Sequence, residues 1–190
     1  MSNYDHAHFE RLYGKEIDPW QFRTSAYEAE KYRVTMEWLP AKRFSKCLEL
    51  GCSIGVLTRA LATRCDKVVA VDTSARALEE AAKACAGLPV EFRQAHLPEG
   101  YLGQGFDLVV VSEVLYFLES SALGTLGKRL QAAAEPGALC IGVHWTGLTD
   151  YPLSADEASD VFSQAATLSP VRQSSTQTYR IDLWRFPGGE

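Results

Sequence analysis

Residues 49 to 55 read E-L-G-C-S-I-G, and Asp72 follows 21 positions after Gly51. Each stands at the end of an apolar run. A glycine turn with a carboxylate at this distance can hold a ribose: the backbone approaches the ligand and the carboxylate accepts from two hydroxyls. Further on, F-D-L-V-V-V gives way abruptly to Ser112 and Glu113. Glu113 either holds a cationic or hydroxylated ligand, or caps the next helix or pairs with an arginine. His144 ends another apolar run beside Trp145. An imidazole titrates near neutrality, which suits proton removal. His144 is therefore the first candidate base and Glu113 the second; the alternative for His144 is a partly buried, hydrogen-bonded histidine at a strand end.

These residues need a frame. From residue 46 the chain alternates apolar strands with helical patterns. Strands are expected at Cys47 to Leu50, Lys67 to Val71, Val90 to Gln94, Phe106 to Val111 and Ala138 to Val143, with helices at Gly55 to Arg64, Ser74 to Gly87 and Leu123 to Ala134. Pro136-Gly137 should break the chain before the fifth strand. Ser154 to Glu157 opens a helix to about Ala166 as a capping box. Two strands follow, near Pro170 to Ser174 and Thr178 to Phe186, joined too tightly for a crossover and hence antiparallel to each other. The repeat predicts an α/β fold, a Rossmann-like doubly wound seven-stranded sheet, mostly parallel with a C-terminal antiparallel strand. Upstream, Ser25 and Glu28 suggest another capping box, opening a helix that Pro40 ends. Residues 1–24 read as polar and aromatic, with a stop at Asp18-Pro19; the H-x-H at His6 and His8 reads as part of a mobile segment, and two histidines without further ligands argue against a metal site.

In such a sheet ligands sit beyond the carboxyl ends of the strands, at the point where strand order reverses. Two candidate ligands share the ribose. A dinucleotide needs G-x-G-x-x-G to cradle its pyrophosphate, and here Ser53 and Val56 replace the second and third glycines. S-adenosyl-L-methionine has no pyrophosphate and tolerates both. Cys52 then packs beside the methionine tail. After the third strand, R-Q-A-H-L places His96 where a carboxylate could accept from the adenine amino group. Either the imidazole accepts, or the backbone of Ala95 to Leu97 reads adenine and His96 covers it, which is the favoured reading, or His96 is an exposed loop histidine.

E-L-G-C-S-I-G resembles the E-x-G-x-G-x-G motif of class I S-adenosylmethionine-dependent methyltransferases, with Gly51 and Gly55 matching its first and last glycines. Together with D-P-W-Q-F, S-A-Y-E-A-E-K-Y-R and S-E-V-L-Y-F-L, it is similar to the nodulation N-methyltransferase (NodS-like) family over roughly residues 15 to 145. The resemblance implies methyl transfer to an amine, in that family the free amino group of a deacetylated chitooligosaccharide, with S-adenosylhomocysteine as product. It implies that Trp20 and the helix near Tyr32 and Arg33 cover the cofactor. Glu49, Gly51, Ser53, Gly55, Asp72, Thr73 and Ser112 would hold it, and Glu113 and Tyr116 would face the acceptor. The family pattern departs at His96 and in the C-terminal third. No [N/D]-P-P-[Y/W] is present after the fourth strand, which argues against adenine and glutamine amide acceptors.

The bulk numbers set bounds. The chain has 190 residues, 46% hydrophobic and 23% charged, with a net charge of -5. One domain is expected, with residues 1–45 as a helical lid over a core at 46–187. An acidic chain is a poor match for nucleic acid or an anionic membrane. No apolar run is long enough to span a bilayer, and the polar N-terminus lacks a signal core. Five cysteines without C-x-x-C read as reduced and structural. A cytoplasmic enzyme acting on a small-molecule or amino-sugar acceptor is expected, as monomer or dimer, without a metal. The competing readings are a small-molecule O-methyltransferase, an NAD(P)-binding oxidoreductase, and a binding protein that has lost activity.

Overall fold

The computed structural model describes residues 5–100 and 102–188. In chain order the elements are α1 (His6–Lys15), α2 (Ala26–Trp38), β1 (Phe44–Leu50), α3 (Val56–Ala62), β2 (Cys65–Asp72), α4 (Ala75–Ala84), β3 (Val90–Gln94), β4 (Phe106–Ser112), a short 3-10 turn (Leu115–Phe117), α5 (Ser120–Ala133), β5 (Ala134–Trp145), α6 (Ala155–Ala165), β6 (Ser169–Ser175) and β7 (Tyr179–Arg185). The sheet runs β3-β2-β1-β4-β5-β7-β6. The first five strands in that order pair in parallel, and β7 joins β5 and β6 antiparallel. The expected architecture is present.

The strands are apolar on both faces because both are covered, as a doubly wound sheet requires. Alternate residues supply the two layers. Leu48, Leu50, Val109 and Val111 pack towards α5 and α6, against Leu126 and Phe162. Cys47, Val68, Leu108 and Ile141 face the other way, against Leu57 and Leu61 of α3 and Trp38 of α2. All five cysteines are buried and unbridged. No described helix is long and apolar enough to cross a membrane.

Three local expectations are corrected. The segment with His6 and His8 is a helix, α1: the Asp5 side chain caps it by accepting from the His8 N–H at 2.9 Å, and Phe9 and Tyr13, one turn apart, face the body of the protein. At α2 only half a capping box forms: Ser25 accepts from the Glu28 N–H at 3.3 Å, while the Glu28 carboxylate turns to Lys31. Pro136-Gly137 does not stop β5, which starts at Ala134; the ladder with β4 shifts register there, between Phe106 and Leu108.

Candidate functional site

The turn after β1 is tied down by β2. The Gly51 and Cys52 N–H groups both donate to the Val71 carbonyl, at 2.8 and 3.0 Å. Gly51 has φ +75°, and a Cβ there would lie 2.1 Å from Val114 Cγ2, so no other residue fits. Ser53 adopts φ +47° without being glycine. Local bonds hold it: its N–H donates to Asp72 Oδ2 at 2.8 Å and its Oγ accepts from the Tyr13 hydroxyl at 2.6 Å. Asp72 Oδ1 accepts from the Ser74 N–H at 2.9 Å. Burial raises the Asp72 carboxyl, with the N–H bonds from Ser74 and Ser53 opposing. Glu49 is 1% exposed and accepts from Thr58 Oγ1 at 2.6 Å. Burial pushes its carboxyl up to about 7, against the Thr58 bond and with help from Asp72.

Above this turn, at the carboxyl ends of β1 and β4 where strand order reverses, opens a cavity of about 960 Å³. Glu49, Gly51, Cys52, Ser53 and Asp72 form its floor. Thr73, Ala95, His96 and Leu97 line the side at the ends of β2 and β3. There the Thr73 hydroxyl and His96 Nδ1 lie 2.6 Å apart, and the His6 ring of α1 sits 4.4 Å from that of His96. Ser112, Glu113 and Tyr116 line the side beyond β4, and Trp20 the N-terminal cover.

Three expected site residues are elsewhere. Arg33 points out from α2 and pairs with Glu30 and Glu37 on its exposed face. Gly55 does not line the cavity; with φ +82° it starts α3, and a Cβ would meet Ala81 at 3.1 Å and Cys85 Sγ at 3.2 Å. Its role is close packing of α3 on α4. His144 does not reach the cavity. It is fully buried beside Tyr116; Nε2 accepts from the Leu115 N–H at 3.4 Å, and Nδ1 finds no partner among the described residues. Burial lowers its pKa to about 4. A neutral imidazole sealed in the core cannot take a proton from a ligand in the cavity.

The structure adds groups that the residue-by-residue reading missed. Lys31 and Glu28 line the cavity from α2. The Lys31 ammonium lies 2.5 Å from Glu113 Oε1 and 2.9 Å from Glu28. Glu113 Oε2 accepts from the Tyr116 hydroxyl at 2.5 Å and the Trp145 N–H at 2.8 Å. Glu113 itself sits at φ +56°, a left-handed conformation that a side chain with a Cβ adopts only when its surroundings impose it. The sequence signal was Y-E-x-x-K-Y, which sets Glu28 and Lys31 one turn apart on the face that carries Tyr27. Among the described residues, seven carboxyl groups line the cavity (Asp5, Glu28, Glu49, Asp72, Glu99, Glu113 and Glu119), of which burial leaves Glu49 about half protonated near neutrality, against one ammonium, Lys31. Such a lining attracts cations and repels pyrophosphate.

A family profile described as Nodulation protein S (NodS) matches residues 6–135. Nodulation protein S of Sinorhizobium fredii is 31% identical over 122 residues, 63% of this chain and 56% of that one. The Bradyrhizobium diazoefficiens protein is 30% identical over 105 residues, 53% of this chain and 49% of that one. The chain thus spans about half the length of the curated relatives it matches. Among solved structures, a Pseudomonas syringae protein provisionally described as a methyltransferase is 31% identical, with a TM-score of 0.75 over 85% of this chain and 99% of that one. N-methyltransferase NodS from Bradyrhizobium japonicum, in complex with S-adenosyl-L-homocysteine, shares the fold: 22% identity and a TM-score of 0.81 over 94% of this chain and 98% of that one.

Proposed function

The chain belongs to the nodulation protein S (NodS) family, and on that premise we propose that it is an S-adenosyl-L-methionine-dependent methyltransferase that methylates an amino group of a sugar, oligosaccharide or other small metabolite. The observation that carries this reading is the cavity at the β1–β4 switch point, with its seven carboxyl groups and single ammonium among the described residues. A sulfonium is a permanent cation and gains from such a lining. The pyrophosphate of NAD(P) would meet carboxylates where it needs N–H groups and positive charge, which disfavours the oxidoreductase.

The lining residues fit the ligand. Asp72 would accept from the ribose hydroxyls with lone pairs not used by the N–H groups of Ser53, Ser74 and Thr73. The backbone of Ala95 to Leu97 borders the adenine end. Glu49 and Gly51 border the methionine end. When bound, S-adenosyl-L-methionine supplies an electrophilic methyl whose leaving group is a neutral thioether. The chain's part is to align the acceptor and keep water out. Tyr116 and Glu113 border the acceptor's approach, and Trp20 and Tyr13, whose ring centroids lie 5.8 Å apart, belong to the cover. In this reading residues 1–45 form a lid on a core at 46–187, within a single domain; residues 1–4 of that lid lie outside the described residues.

Calorimetry tests the first step. S-adenosylhomocysteine should bind and NADH should give no heat. No heat from S-adenosylhomocysteine at high protein concentration would sink the reading. Release of S-adenosylhomocysteine is then followed against amino sugars, deacetylated chitooligosaccharides and small amines. Turnover with hydroxyl acceptors alone would replace N-methylation by O-methylation.

A further inference from the structure

We propose that the carboxylates of Glu28 and Glu113, with the ring of Tyr27, form the binding site for the acceptor's ammonium group, and that the Lys31 side chain occupies this site until an acceptor arrives. The inference rests on the methyltransferase reading and names the group that its acceptor must carry.

The Lys31 ammonium is 2.5 Å from Glu113 Oε1, 2.9 Å from both Glu28 oxygens, and 5.2 Å from the centre of the Tyr27 ring. Two anions and an aromatic face are what a primary ammonium seeks when it leaves water. The Glu113 half of the site has supports other than Lys31, whereas the Glu28 carboxylate is held by Lys31 itself. Glu113 Oε2 is fixed by the Tyr116 hydroxyl and the Trp145 N–H, and its backbone is locked at φ +56°. Those bonds leave Oε1 as the carboxylate oxygen turned to Lys31. What Lys31 brings to Oε1 is the N–H of an alkylammonium, the same group that an amine acceptor carries on arrival; before methyl transfer that ammonium gives a proton to one of the two carboxylates, which frees the nitrogen lone pair. A lysine ammonium rides on a flexible four-carbon stem and can withdraw.

Charge and position agree. Two carboxylates and one ammonium leave the cluster short of positive charge. Burial raises the Glu28 carboxyl, and Lys31 only opposes that rise. As a stability device the arrangement is poor, since two buried charged groups and a half-buried one lose hydration that an apolar cluster would not need. The cluster also lies next to the cofactor turn. Glu113 sits between Ser112 and Val114, and both border Gly51: a Cβ on Gly51 would meet Val114 Cγ2 at 2.1 Å and the Ser112 carbonyl at 3.5 Å.

The test needs no acceptor. Sinefungin is an analogue of the cofactor in which an amine-bearing carbon replaces the sulfonium and its methyl, so its ammonium projects towards the acceptor. Its affinity is compared with that of S-adenosylhomocysteine by calorimetry, and the ratio is read in each variant. In Lys31→Met the ratio should rise by about fivefold or more, because the competing ammonium is gone; in Glu113→Gln it should fall below wild type by a similar factor. A ratio that stays within about twofold of wild type in Lys31→Met, or in Glu113→Gln, overturns the proposal. If Lys31→Met melts below the assay temperature, Glu113→Gln decides alone, with Glu28→Gln as its companion. Failure of the wild-type protein to bind S-adenosylhomocysteine would instead sink the methyltransferase reading.

Discussion

At the scale of single residues, two buried groups titrate in opposite senses. His144 has a pKa of about 4 in the fold against its ordinary 6.5. The unfolded chain takes up that proton first, so the His144 contribution is whole above about 6.5 and is lost as pH falls towards 4. Glu49 is held at about 7 against 4.5. Here the fold keeps a proton that the unfolded chain has released, so its contribution is whole below about 4.5 and is lost as pH rises through 7. Each effect is roughly 3 kcal/mol at about 1.4 kcal/mol per tenfold change in proton affinity. Urea unfolding at several pH values checks this: relative to wild type, Glu49→Gln should gain stability as pH rises from 5 to 7, and His144→Gln should gain as pH falls from 6.5 to 4.5. Parallel curves for wild type and variants would refute both assignments. Asp72→Ala removes the acceptor for two N–H groups; we expect a loss of about 2–4 kcal/mol in stability and at least about tenfold weaker binding of S-adenosylhomocysteine by calorimetry. Unchanged affinity would show that Asp72 shapes the turn and nothing more. Asp72 and Gly51 were legible in the sequence because spacing from a strand end fixes where they lie. The sequence leaves His144 either buried or facing the ligand and cannot decide between them, because the outcome depends on the Leu115–Phe117 turn folding over it, a tertiary event with no local signal.

At the scale of elements, the two glycines of the turn have separate tasks. Gly51 leaves room for Val114, whereas Gly55 lets α3 approach α4. Gly55→Ala should therefore cost about 1–3 kcal/mol in stability while leaving the affinity of the folded protein for S-adenosylhomocysteine within about threefold. A large affinity loss without a change in melting would return Gly55 to the ligand. The sequence shows the turn; which glycine faces the ligand follows only once α4 is in place. The α2 helix shows a different limit. Its buried positions are Glu28, Lys31, Thr35 and Trp38, so the inner face is mostly polar. A search for apolar periodicity finds the helix through its cap and Pro40 but cannot find the face that matters. The α1 helix was missed because its binding face is short, with Phe9, Tyr13 and little else.

At the scale of the whole molecule, the acidic lining is an assembled property. Its carboxylates come from Asp5, α2, β1, β2 and the loops after β3 and β4, and the net charge of -5 gives no hint that they converge. S-adenosyl-L-methionine carries one more positive charge than S-adenosylhomocysteine. Raising ionic strength from about 0.05 to about 0.5 M should weaken the former several-fold more than the latter, since long-range attraction is screened within a Debye length of about 10 Å at 0.1 M. Equal salt dependence would mean that the field of the cavity does not act on the ligand. The fold class was legible because strand and helix periods alternate cleanly. The sheet order has a further consequence for how the protein comes into being. β1 pairs with β4 through Cys47 and Leu108, strands from opposite halves of the chain. During synthesis the glycine turn and Asp72 are made early, yet the β4 strand beside β1 and the Val114 neighbour of Gly51 emerge from the ribosome only after the adenine side is complete. On the methyltransferase reading, a chain ending before Val114 should therefore fail to bind S-adenosylhomocysteine by calorimetry, and binding by such a truncated chain would refute the expectation.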